Sequence, residues 1–446
     1  MSKKLITNAV IVNENERFSG SILISGSMIE EIYREVQPDP EAIGVEKKDI
    51  IDAEGAFVIP GVIDDQVHFR EPGNTHKGCI KTESRAALLG GVTTFMDMPN
   101  NNPPCCTNEG LQNKLAIAAR DAYSNYAFYI GASNSNAEEL PSIDPADYCG
   151  VKVFMGSSTG NMLVDSQEAL EKIFSHTGKV VATHCEEEGI IRENMTRAKA
   201  EFGENIPFSH HPKIRSREAC IESSRKALAM AVKYGTPLHI LHLSTADEIG
   251  MIQEARKSNP KIAGEICVHY LWFNDTMYDT YGSKMKCNPA IKRESDMLAL
   301  RQAVRDGVIR VVATDHAPHL PEEKANPYTK APSGLPLVQH SLLLMLELSS
   351  QGVFPIETVV ERMSHGPADL FSIRNRGYIR KGYYADLVFV KKIPSQPEPA
   401  YFCHWTPFEG MTFSHSIERV MLNGEEAVVK GHLVDENIRG MKLEYR

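Results

Sequence analysis

Residues 180–185 read Val180-Val181-Ala182-Thr183-His184-Cys185, residues 216–234 have a helical pattern, and residues 238–244 read Leu238-His239-Ile240-Leu241-His242-Leu243-Ser244. The two flanking runs have strand length and are almost continuously apolar, as strands covered on both faces require. Between them Ile221, Leu228 and Val232 mark one helical face, and Gly235 supplies a left-handed stop. This is a strand-helix-strand unit. Working outward, similar apolar runs occupy residues 62–68, 92–98, 126–132, 150–155, 262–270 and 308–315. With the first two they make eight, and repeated units of this kind predict an α/β chain folded as a (β/α)8 barrel.

Both ends read differently. Short β-type runs at 9–12 and 21–24 are echoed by runs at 385–390 and 417–422, the last followed by the hairpin signal Asn423-Gly424. Neither end has enough apolar residues for a core. Residues 1–55 and 378–446 are therefore expected to combine into one small β-sandwich domain, with the barrel at 56–377 inserted between its halves.

Composition narrows the function. In 446 residues, 48 Lys plus Arg stand against 58 Asp plus Glu, a formal charge of -10. That balance argues against a nucleic-acid or anionic-membrane partner and leaves room for a local basic pocket. Nine cysteines without a repeated spacing predict reduced thiols. Met1-Ser2-Lys3-Lys4-Leu5-Ile6 has no apolar stretch after its charges, and no run approaches a membrane span, so a cytoplasmic protein is expected.

Chemistry in a barrel sits at the C-terminal ends of its strands. His68, Lys152, His184, His242 and Asp315 all fall at or near predicted strand ends. Three imidazoles and a carboxylate suit zinc or a similar divalent ion. Lys152 is costly to bury as a cation. An acidic partner relieves that cost, and so does conversion to a carbamate by carbon dioxide. Arg70 is expected on the same strand face as His68, placed to grip a carboxylate. Asn100 and Asn288 offer amides, and His319 lies in a long loop whose continuation, Pro321-Glu322-Glu323-Lys324, is expected to act as a lid. Alternation turns Cys185 and His316 away from the site, and His239 and His269, both expected in strands, are read as structural.

The chain resembles the dihydroorotases of the amidohydrolase superfamily. The resemblance is carried by His68-Phe69-Arg70-Glu71-Pro72-Gly73, Met98-Pro99-Asn100, Gly150-Val151-Lys152, Thr183-His184-Cys185-Glu186, His239-Ile240-Leu241-His242, Thr314-Asp315-His316-Ala317-Pro318-His319 and Tyr384-Ala385-Asp386-Leu387. It implies reversible cyclisation of N-carbamoyl-L-aspartate to L-dihydroorotate in pyrimidine biosynthesis. It further implies one or two zinc ions held by His68, carbamylated Lys152, His184, His242 and Asp315, with Asp315 also the proton shuttle. Arg70, Asn100 and His319 would hold the substrate carboxylate and Asn288 the ring amide. Kinship also implies a homodimer.

One departure stands out. The family has His-x-His on the first strand, and this chain reads Gln66-Val67-His68. Gln66 should still face the site, but an amide is a poorer zinc ligand. A two-metal site with one loose ion, a working one-metal site and a weakly active or non-catalytic scaffold all follow from that change. Retention of Arg70, Asn100, Lys152, Asp315 and His319 favours an active enzyme. Allantoinase and dihydropyrimidinase chemistry compete, and Arg70 is the discriminator, because a charged clamp serves no purpose on uncharged allantoin.

Overall fold

The computed structural model describes residues 3–156, 162–176 and 178–446; Met1 and Ser2, which open the stretch read for a leader, lie outside them. Eight parallel strands form the barrel: Val62–Val67, Val92–Asp97, Asn125–Phe128 continued by Ile130–Gly131, Gly150–Phe154, Val180–His184, Leu238–Ile240, Ala263–Cys267 and Val311–Ala313. Each pairs with its neighbour, and the ring closes where Val67 bridges His316 and the His68 N–H donates to the His316 carbonyl at 2.7 Å. Nearly all of the strands' Val, Ile and Ala side chains are buried, as covered strands demand, and so are the polar residues Asp65, Gln66, Lys152, His239 and Glu265 that stand among them.

Several predicted bounds shift. The run 262–270 is strand only to Cys267; Val268–Trp272 turns into a helix, so His269 is helical, not in a strand. A short apolar run buried all round fits either element, so periodicity could not divide it. The sixth and eighth strands end at Ile240 and Ala313, which leaves His242 and Asp315 two residues beyond them. The first strand ends at Val67, so Arg70 lies in the following loop and not on a shared strand face with His68. Helix Arg217–Tyr234 forms and Gly235 closes it at φ 67°. Its packed face, however, is Ala219, Ser223, Ala227, Leu228 and Ala231, while Val232 is exposed. Small residues let the helix lie close to the sheet, and that outweighs the larger apolar side chains.

A nine-stranded sheet draws on both chain ends. Strand Phe57–Pro60 pairs with Lys3–Asn13 on one side and Leu387–Lys391 on the other. Ile6, Ile11, Ile22 and Val58 from the first end pack with Leu387, Phe389 and Met421 from the second. Asn423 and Gly424, at φ 51° and 83°, form the expected hairpin turn. Asp386 ties this sheet to the barrel: its carboxylate accepts from Asn423 N at 2.8 Å, from Asn125 Nδ2 at 3.2 Å and from Arg376.

Loops after the first two strands are held by specific contacts. A side chain at Gly73, φ 92°, would strike the Asn102 carbonyl, so glycine lets these two loops touch. Lys114, fully buried on helix Asn108–Asp121, donates to Asp97 Oδ2 at 2.5 Å, the Met98 carbonyl at 2.9 Å and Asn101 Oδ1 at 2.8 Å, bracketing Asn100. Removing one member of a buried ion pair leaves the other uncompensated. Lys114→Met is therefore expected to cost about 3–5 kcal/mol, read from the midpoint of urea unfolding. An unchanged midpoint would contradict this account. No helix among the described residues is long and apolar enough to cross a membrane.

Candidate functional site

Beyond the C-terminal ends of the barrel strands lies a cavity of about 290 Å³. Its lining contains every residue singled out from sequence: Gln66, His68, Arg70, Asn100, Lys152, His184, His242, Asn288, Asp315 and His319. Phe154, Ala317 and the segment Pro332-Ser333-Gly334 complete it. Four larger hollows among the described residues, of about 570, 690, 370 and 460 Å³, contain none of these ten, so chemistry and not size selects the site.

Three of the ten have left-handed backbones: Arg70 at φ 68°, His242 at 39° and Asp315 at 52°. Such conformations are strained for residues other than glycine and collect at functional sites. Here they turn side chains that follow short strands back over the barrel mouth.

His184 and His242 face each other, Nδ1 to Nε2, at 2.9 Å. Glu186 Oε2 lies 3.0 Å from His184 Nε2. Burial works against the Glu186 charge, but Arg215 and His184 hold its pKa down to about 2. An ionised carboxylate only accepts, so the His184 hydrogen sits on Nε2 and the Nδ1 lone pair points toward His242. Burial lowers the pKa of both imidazoles, which keeps them neutral. The buried Nδ1 of His242 has no hydrogen-bond partner among the described residues.

Across the cavity, His68 Nδ1 lies 2.7 Å from Asn100 Oδ1, and Nε2 lies 3.0 Å from Asp315 Oδ1. With the ring hydrogen taken by Asn100, a nitrogen lone pair faces a carboxylate oxygen. That arrangement calls for a proton or a cation between them. Asn100, expected on a substrate carboxylate, thus also orients His68. Gln66 faces the site, and its Nε2 donates to the same Asp315 oxygen at 3.1 Å. Lys152 is 1% exposed, and burial lowers its pKa to about 8. Its acidic-partner alternative is not seen: no carboxylate among the described residues lies within ion-pair distance of it. The donor set of neutral imidazoles, carboxylate and buried amine fits a divalent cation. Carboxylates behind metal-binding imidazoles typically contribute 10–100-fold to affinity. Glu186→Gln is accordingly expected to weaken zinc retention by about tenfold or more in a chelator competition, and equal retention would remove Glu186 from that role.

The remaining expectations divide. Cys185 is buried and donates to Thr183 Oγ1 at 3.3 Å, outside the lining. His316 contacts Glu83 Oε2 at 2.9 Å and also turns away. His239 Nε2 sits 3.0 Å from both Asp65 Oδ2 and Glu265 Oε2. Burial opposes its charge, but these carboxylates raise its pKa to about 9. The three groups lie close enough to share a cation, and Glu265 Oε1 also accepts the His242 N–H at 3.2 Å. His269 is buried with neither ring nitrogen partnered. The expected lid is tied down: on helix Pro321–Lys324, buried Lys324 donates to the carbonyls of Lys286, Pro332 and Gly334 at 3.0–3.1 Å. Its carbonyl ties override the polar look of the sequence. Glu186, Arg215, Asp65 and Glu265 were not assigned roles from sequence; Glu186 alone had a local signal, being two residues from His184.

Comparison with known proteins agrees with this geometry. A model of the amidohydrolase family matches residues 57–427. A Methanosphaera stadtmanae protein named dihydroorotase is 31% identical over 83% of each chain. A Solibacter usitatus protein named allantoinase is 31% identical over 95% of this chain and 93% of its own. The solved L-hydantoinase (dihydropyrimidinase) of Arthrobacter aurescens superposes with a TM-score of 0.93 at 25% identity, covering 100% of both chains. A match running through the whole barrel and into the shared sheet at both ends, on a barrel of the same shape, makes this chain a member of the amidohydrolase family.

Proposed function

We propose that the protein is a metal-dependent cyclic-amide hydrolase acting on a ring that bears a carboxylate, and specifically a dihydroorotase. One observation carries the choice of substrate. Arg70 is recessed in the cavity, donates through Nε to the Pro318 carbonyl at 3.1 Å, and has no carboxylate within ion-pair distance among the described residues. A guanidinium left unpaired beside a reaction centre is suited to an anionic substrate. Relatives named allantoinase and hydantoinase share the fold, so the barrel itself does not choose among ring amides.

His184, His242 and Lys152 as its carbamate would hold one cation, and His68 with Asp315 a second, with Gln66 standing where the family has an imidazole. A divalent ion such as zinc, when bound, supplies Lewis acidity toward water and toward a carbonyl oxygen. The chain's own groups do the rest. Asp315 is placed to take a proton from the attacking water and return it to the ring nitrogen as the C–N bond breaks. Arg70 and His319 hold the carboxylate, which orients the ring, and Oδ1 of Asn288, without a partner among the described residues, is available to a ring N–H. Water adds across one amide bond; ring closure runs the same steps backwards.

The test is a comparison of L-dihydroorotate, hydantoin, dihydrouracil and allantoin with zinc and bicarbonate present. Turnover of dihydroorotate alone, lost in Asp315→Asn, is expected. Preferential turnover of an uncharged ring would overturn the reading.

A further inference from the structure

Lys77 does not line the cavity; it stands behind His319. Its Nζ lies 3.1 Å from His319 Nδ1 and 2.8 Å from Glu323 Oε1. On the cavity side, His319 Nε2 is 3.0 Å from the Ser333 carbonyl and 3.0 Å from Arg70 Nη2. We propose that Lys77 is a positioning residue that fixes the tautomer of His319, so that His319 and Arg70 present two converging donors to a carboxylate.

An ammonium group has hydrogens to give and no lone pair to offer. Lys77 therefore requires His319 Nδ1 to accept, which puts the ring hydrogen on Nε2. That hydrogen can be donated to the Ser333 carbonyl, and Nε2, once it carries the hydrogen, cannot accept from Arg70. Two donors then stand 3.0 Å apart with no acceptor shared between them. A carboxylate oxygen entering that gap bonds both and supplies the charge Arg70 lacks. Without Lys77 the other tautomer becomes available: Nε2 would accept directly from Arg70, and the clamp would satisfy itself. Burial, together with the charges of Arg70 and Lys77, pushes the His319 pKa far below its usual range, so the ring remains neutral and the choice of tautomer is what matters. Glu323 anchors Lys77 from the Pro321–Lys324 helix, which links that pinned segment to recognition.

The carboxylate part of this inference rests on the function proposed above; the tautomer part does not. The experiment uses 15N-labelled full-length protein and reads the imidazole nitrogen shifts of His319, assigned by their loss in His319→Asn. The wild type should show the Nε2–H form, Lys77→Met should shift toward Nδ1–H, and Lys77→Arg should restore the original pattern. An Nδ1–H ring in the wild type overturns the proposal outright, even if Lys77→Met does not fold. In kinetics, Lys77→Met should raise KM for dihydroorotate by about tenfold with kcat within about threefold, and Lys77→Arg should recover it. A fall in kcat alone, or an unchanged KM beside a changed tautomer, removes the recognition role. If the wild type does not turn over dihydroorotate, the activity reading falls, and the nitrogen shifts still decide the role of Lys77.

Discussion

Lys152→Ala is expected to lower kcat/KM by about a thousandfold or more and to strip zinc from the purified protein. The side chain lies in strand Gly150–Phe154, enters the cavity lining, and is almost wholly withdrawn from water. A lysine so placed is costly as a cation. With its pKa lowered to about 8, roughly a tenth of the amine is free at pH 7, against about one part in 2,500 at an unperturbed 10.4. The free amine is the form that combines with carbon dioxide, losing a proton and gaining an anionic oxygen pair. Alanine removes that ligand and opens space beside His184 and His242. Metal analysis and turnover should therefore fall together, and acetate should restore part of both. Full activity in Lys152→Ala would end the carbamate reading.

Arg70→Met should raise KM for dihydroorotate by about thirtyfold or more, since losing one partner of a hydrogen-bonded charge pair costs about 2–5 kcal/mol. The same change should leave an uncharged ring no worse bound than before. Stability should hold, because the guanidinium has no counter-ion to leave stranded. A melting curve on the variant separates the two effects. Equal losses for charged and neutral rings would mean that Arg70 shapes the cavity and does not recognise charge.

Much of the site was legible because covered strands read as unbroken apolar runs, and polar residues at their ends stand out against them. His68 and His184 stood out in this way and Lys152 as a charge inside its run, and all three line the candidate cavity. Arg70, His242 and Asp315 were found too, but their conformations were not. The apolar pattern continues through Leu241 and Leu243, so it gives no sign that the strand stops at Ile240 and turns left-handed at His242. The same effect hid the helix at Val268–Trp272. Helix Arg217–Tyr234 was placed correctly and Leu228 lies on its packed face, but Val232 does not, because the alanines and serines that make most of that face carry no hydrophobic signal of the strength of Val232. Partners distant in the chain were least legible. Lys77 and His319 are 242 residues apart, and His239 and Asp65 are 174 apart, and only folding shows that they meet.

The sheet shared by the two chain ends has a consequence for how the protein is made. Asn13 and Ile379 bond across 366 residues of sequence. In closure entropy that span is inexpensive, since each doubling of loop length costs only about 0.6 kcal/mol. In time it is long: at about 5–20 residues per second, a ribosome needs roughly 20–70 s between the two. From its own synthesis until Leu387–Lys391 is made, strand Phe57–Pro60 has one edge without its later partner. The nascent chain thus carries an open, apolar template while the barrel is being synthesised, and that is where a chaperone, or a neighbouring nascent chain, would first take hold.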